Sequence, residues 1–222
     1  MTKTPNGDCR LPCRLRYMQK ALIILLAFII TALNAYADDC FSPPPSVQQG
    51  RGKFEDIVPR NLEEGEFQNL KQLFHGLEGD WKGSAEVLVC EGSENDIRKQ
   101  IDNYAVTSEL KMNTSGRFVI KSTLSSRKKR NKHHVDLHLY LSKEKLSSEA
   151  NAAVADIELI LVSNDELVYV KKARSRSGGG AALIRETITA IKKSGESSFI
   201  FEQLVYLQGM LKSISTWHLE KK

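Results

Sequence analysis

The 222-residue sequence contains no apolar run long enough to cross a bilayer. Its longest, ALIILLAFIITAL at 21–33, has 13 residues, whereas a spanning helix needs about 20. Lys20 precedes the run and Ala35-Tyr36-Ala37 follows it, the small-x-small pattern that signal peptidase accepts, so residues 1–37 read as a secretory signal cleaved near Ala37. The stretch from Met18 is a complete signal by itself, which makes Met18 a second candidate start. Cys40 follows Ala37-Asp38-Asp39 and not a lipobox, which argues against a lipid anchor. Charge of one sign is also lacking. The signal carries five of the 32 Lys/Arg and one of the 27 Asp/Glu, so the rest of the chain is near +1. Nucleic-acid binding, which rests on many phosphate contacts, has no support in such a composition.

Cysteine is scarce: only Cys40 and Cys90 follow the signal, and export to an oxidising compartment predicts that they pair. No Ser-His-Asp or Cys-His set stands out, and Gly178-Gly179-Gly180 lies between strands, not before a helix where it would cradle phosphate. Asp156 and Glu158 alternate with Ile157 and Leu159 on a solvated face. The expectation is a non-enzyme with no cofactor and no metal.

What is present is a change of period. Residues 38–60, with Pro43-Pro44-Pro45 and Gln48-Gln49-Gly50, read as an extended tail. A helix is predicted over 61–77: Asn61 and Glu64 form a capping-box pair, Phe67, Leu70, Phe74 and Leu77 fall on one stripe, and Gly76 and Gly79 end it. After Asp80 the period is two. Trp81, Gly83, Ala85, Val87 and Val89 share one strand face. Further strands are predicted near 103–111, 117–124, 133–141, 154–162, 166–173, 182–192, 198–207 and 210–220, with a possible helical turn in 143–155. A succession of short strands and tight turns predicts an all-β fold, an antiparallel up-and-down barrel of about 8–10 strands with the N-terminal helix plugging one end. A two-sheet sandwich is the alternative. The barrel domain would span 61–222.

A short helix, then Gly79-Asp80-Trp81, then the first strand of an all-β meander resembles the lipocalins and the wider calycin group. The resemblance implies that Trp81 packs across the closed end and that a basic residue after the last strand, Lys221 or Lys222, covers it. It also implies an exported, periplasmic or secreted protein that binds a small apolar or amphipathic molecule. The C-terminal TWHLEKK is similar to the nitrobindins, haem-binding barrels, with His218 as the matching ligand.

A barrel of this size is just wide enough for one small guest. The apolar faces nominate Trp81, Ala85, Val87, Phe118, Ile120, Leu137, Leu139 and Leu159 as ligand-binding residues. The competing reading is a filled barrel whose loops or Pro-rich tail bind an envelope partner. Arg127, Lys128, Lys129, Arg130 and Lys132 follow the third predicted strand, so counting from the plugged end puts them at the open mouth. There they would form a basic rim for an anionic headgroup or an acidic membrane surface. By the same count Arg174 and Arg176 fall at the other end. His134, Asp136, His138 and Tyr140 share one face of a strand; residues i and i+2 lie about 6.6 Å apart there, which leaves the two histidines too distant to chelate together. That face reads as solvated. Cys90 falls on the outer face of the first strand near the mouth, which would fasten the tail outside the barrel.

Overall fold

The computed structural model describes residues 40–41, 60–93, 96–126, 131–150, 153–176 and 182–222, within a compact unit that begins at Cys40. The predicted signal, most of the tail, and Arg127, Lys128, Lys129 and Arg130 lie outside the described residues. Among those described, a helix α1 (Glu64–Leu77) precedes eleven strands: β1 (Gly79–Ser93), β2 (Asp96–Met112), β3 (Arg117–Ser125), β4 (Lys132–Leu141), β5 (Leu146–Ala150), β6 (Ala153–Asp156), β7 (Glu158–Val162), β8 (Glu166–Arg176), β9 (Ala182–Lys193), β10 (Ser198–Leu207) and β11 (Met210–Lys221).

The helix starts later than predicted, because its cap is Glu63 and not Asn61. The Glu66 carboxylate accepts a hydrogen bond from the Glu63 backbone N–H at 3.0 Å. Both terminal nitrogens of Arg60 donate to the same carboxylate, at 2.6 and 2.5 Å. That bidentate pair holds Glu66 ionised, with its pKa lowered chiefly by Arg60, and an anion in the first turn satisfies the helix terminus. Leu70, Leu73, Phe74 and Leu77 are fully buried, whereas Phe67 packs at the margin.

All strands form one antiparallel sheet in the order β6-β5-β4-β3-β2-β1-β11-β10-β9-β8-β7. β1 joins β11 from Trp81↔Lys221 to Val89↔Ser213, so the first and last strands of the meander are neighbours. At Gly83 this approach excludes a side chain: a Cβ there would sit 1.9 Å from the His218 carbonyl oxygen. The two edge strands, β6 and β7, are consecutive in the chain and separated only by Ile157. The first half of this segment pairs with β5 and the second half with β8. Counted as one interrupted strand, it makes the total ten. The sheet is curled: one core cluster draws on α1 and on residues as far apart in the sheet order as Leu146 of β5 and Leu159 of β7, by way of Phe118, Trp81, Trp217 and Leu167.

The segment 143–155 holds β5 and not a helical turn. Ser142 and Lys145 close a tight turn through Ser142 N–H to the Lys145 carbonyl at 2.9 Å, and Leu139 pairs with Ser148. The additional strand reverses the direction of everything after it. Traced through the antiparallel pairs, β8 runs the same way as β1 and β3. The connection after Arg176 therefore leaves from the end where β3 finishes, away from α1, which corrects the expectation that Arg174 and Arg176 lie at the opposite end from the basic segment after β3.

A second, smaller core lies on the outer face, where Cys40, Phe41, Leu88, Cys90, Tyr206, Leu211 and Ile214 pack together. The predicted Cys40–Cys90 disulfide is formed. The Phe41 N–H bonds the Leu211 carbonyl at 3.1 Å, and Lys212 Nζ lies 3.9 Å from the centre of the Phe41 ring. Alternation sets Tyr206 on this outer side, and the register shift after Val205↔Ser213, which leaves Lys212 unmatched, turns Leu211 there too.

Candidate functional site

The inner face has a solid floor at the helix end. Phe74 stacks on Phe118 with ring centroids 4.3 Å apart, and Trp81 meets Phe199 edge-on at 4.7 Å. Trp81 Nε1 donates to the Leu77 carbonyl at 2.8 Å, so the tryptophan satisfies an acceptor that the end of α1 would otherwise leave unpaired. Lys221 Nζ lies 5.5 Å from the Trp81 ring centre, the position implied for a basic residue by the lipocalin resemblance. Of the eight predicted ligand-binding residues, Trp81, Ala85, Phe118, Ile120, Leu139 and Leu159 are buried in this core, and Val87 and Leu137 are half-buried further along. The structure brings the eight to one face, most of them as floor.

Above the floor the inner face changes character. On β8 the inward positions run Leu167, Tyr169, Lys171; on the paired strand β9 they run Ile191, Thr189, Thr187, Arg185. On β10 and β11, Phe201 and Trp217 give way to Gln203 and Ser215. Tyr169, fully buried, has its hydroxyl pKa raised by desolvation and shares a hydrogen bond with Thr189. Trp217 Nε1 donates to Ser215 Oγ at 2.7 Å. Gln203 Nε2 reaches Thr189 Oγ1 at 3.5 Å, whereas the buried Ser108–Ser122 hydrogen bond of 2.7 Å lies level with the floor, Ser108 being the partner of Trp81. Towards the mouth Tyr104 and His133 form an edge-on pair at 5.8 Å. Val87, Leu137, Lys171, Gln203 and Val205 are all half-buried, so this upper wall is reached by solvent while the floor is not.

None of these upper polar residues was singled out from the sequence. A signal existed: read every second residue from the helix end, Leu167-Tyr169-Lys171 on β8 and Ile191-Thr189-Thr187-Arg185 on β9 turn from apolar to polar before Ala173 and Leu183. The apolar stretch that begins each strand on its floor side hides that gradient when residues are judged one at a time.

Several other predicted residues fall on the outer face. His218 is exposed there, because alternation sends its neighbours Trp217 and Leu219 into the core. It does not reach the interior, which removes it as an inward haem ligand. His134 and Asp136 border an open groove of about 500 Å³ with Glu109 and Lys121. His134 is near Thr123 Oγ1, at 3.2 Å. His138 instead joins a knot unread in the sequence: its Nδ1 is 2.7 Å from Glu149 Oε2, which also accepts from Arg117 at 3.0 Å and Tyr140 at 2.9 Å. The Glu149 pKa is lowered, first by His138 and then by Tyr140. Among the described residues no group of three or more His, Cys, Asp or Glu is arranged to hold a metal. Of the predicted basic rim, Lys132 is described; it is exposed at the start of β4.

No family model matches the sequence, and no curated protein matches it. Among solved structures, the chain is similar to a protein of unknown function from the DUF3598 family of Nostoc punctiforme, at 13% identity and a TM-score of 0.46. That match covers 67% of this chain and 49% of the other, so the chain spans about half the length of that structure. A 12:0-ACP thioesterase from Umbellularia californica matches at 12% identity and a TM-score of 0.16, over 64% of this chain and 75% of that one.

Proposed function

We propose that this is an exported, lipocalin-like barrel that binds one small apolar or amphipathic molecule between its floor and its mouth. The observation that carries the reading is the break in the inner face, from side chains with no solvent access around Trp81 to a half-buried wall of mixed polarity at Val87, Leu137 and Gln203. A protein stabilised by its core alone has no need of a half-buried inner wall beyond a floor already packed to 0% exposure at Trp81, Phe74 and Phe118. The Cys40–Cys90 bridge supports the exported reading, since such bonds persist in oxidising compartments. In this reading the segment 153–162 closes the wall and Lys132 stands at the mouth.

The test is fluorescence titration with N-phenyl-1-naphthylamine, an uncharged apolar dye, beside native mass spectrometry of freshly purified protein. Saturable enhancement with one site per chain, or a mass excess lost on denaturation, is expected. Absence of both overturns the reading in favour of a filled scaffold.

A further inference from the structure

Lys171 stands out in the upper wall. It is the Cα partner of Thr187 on the inner face, and Arg185 occupies the next inward position of β9, opposite Ala173. The Lys171 side chain is half-buried, and the partner of its ammonium among the described residues is Ser148 Oγ at 3.5 Å. No carboxylate faces it from β8 to β11: Glu166, Glu186 and Glu202 alternate to the outer side, as does Glu158 of β7 opposite Val170. On the inner face of β2, Asp102 accepts from Gln100 Nε2 at 2.6 Å, and four strands of the sheet order separate β2 from β8. The charged neighbour that Lys171 feels is Arg185, another cation, and burial together with Arg185 lowers its pKa.

A lysine withdrawn from water without a counter-ion is costly, and lysines are rarely buried unless paired. Lys171 beside the Ser148 hydroxyl, with the exposed Arg185 one inward position further from the apolar floor, sets two cations on the inner face, the reverse image of one kind of molecule. A carboxylate or phosphate would accept from the Lys171 ammonium and from the Arg185 fork. A hydrocarbon body attached to that group would lie against Val87, Leu137 and Val205.

We propose that the protein's ligand is an anionic amphiphile whose carboxylate or phosphate headgroup is held by Lys171 and Arg185; this rests on the ligand-binding reading above. The experiment is displacement of N-phenyl-1-naphthylamine from the full chain by decanoate, decyl phosphate and decan-1-ol, with inorganic phosphate as the free-anion arm. Both anionic amphiphiles should displace the dye at about tenfold lower concentration than the alcohol, the span expected of one charge-assisted contact. Lys171→Met and the exposed-site variant Arg185→Gln should each bring the anions to the level of the alcohol, with the alcohol unchanged within about twofold. Lys171→Arg should keep the preference, which separates loss of charge from loss of fold.

Equal displacement by decan-1-ol and decanoate in the unmodified protein overturns the headgroup assignment and leaves the apolar-ligand reading standing. Displacement of the dye by inorganic phosphate at lower concentration than by decyl phosphate assigns the site to a free anion and also overturns it. Failure of the dye and of every probe to bind overturns both.

Discussion

The Cys40–Cys90 bridge closes a loop of 50 residues that contains the tail, α1 and most of β1. In the unfolded chain that closure removes conformations that the open chain would explore. For a loop of this length the loss corresponds to roughly 4 kcal/mol at 25 °C. In the folded state Cys40 and Cys90 are buried at 7% and 4% exposure, and they seat Phe41 over Leu211 and Lys212 on the outer core. Reduction therefore raises the entropy of the unfolded ensemble while leaving both sulfurs in place to pack. Urea unfolding of oxidised and reduced protein, followed by tryptophan fluorescence, measures the difference. With a slope of about 2 kcal/mol per molar urea, the midpoint should fall by about 2 M on reduction. The Cys40→Ala/Cys90→Ala variant should fall at least as far, since it also removes buried sulfur. A fall under about 0.5 M at unchanged slope would refute the reasoning, because it would mean that closing the loop does not restrict the unfolded chain by the amount its length implies.

Three further outcomes follow from single positions. Gly83→Ala places a carbon 1.9 Å from the His218 carbonyl oxygen, so β1 and β11 must part; we expect a loss of about 1–3 kcal/mol by urea unfolding. Gly65→Ala, in α1 with nothing within 4 Å of the added carbon, should instead stabilise by about 0.5–1 kcal/mol, which controls for glycine replacement itself. Burial, then Glu186 and Glu202, push the Tyr206 hydroxyl up from 10.0 to about 12. A raised folded-state pKa means that the contribution is complete below the unfolded value of 10.0 and is lost as pH climbs to about 12. Stability measured across that window should fall more steeply for the unmodified protein than for Tyr206→Phe; parallel curves would count against it.

Much of the architecture was readable from alternation, because a strand with one wet face and one dry face writes its period into the sequence. β3 shows this plainly, with Phe118, Ile120 and Leu124 inward and Lys121 outward. β5 escaped because Leu146-Ser147-Ser148-Glu149-Ala150 carries one large apolar side chain, and Ser148 is buried by its neighbours without announcing itself as apolar. That omission cost the direction of every later strand, and with it the placement of Arg174 and Arg176. The helix cap moved by two residues for a different reason: Arg60, read as the end of a tail, selects Glu66 by charge. The floor at Trp81 was visible through its motif. The upper wall was not, since Lys171 and Arg185 are ordinary strand residues until the register sets them on an inner face that, among the described residues of β8 to β11, carries no carboxylate.

The meeting of β6 and β7 at Ile157 also bears on how this molecule keeps to itself. Any sheet with a beginning and an end offers two rows of open amide and carbonyl groups onto which a foreign strand can add. Here the terminal rows are one short stretch, four residues in β6 and five in β7, and beside it residues 132–138 of β4 and 171–176 of β8 run past their pairing with β5 and β7. The row in β7 is broken by a register shift between Leu159 and Leu161, beside the exposed side chains of Ile160 and Leu161. Among the described residues the kinked row in β7 is one docking point for a foreign strand, and a charge placed at Ile160 would guard it at little expense to the interior.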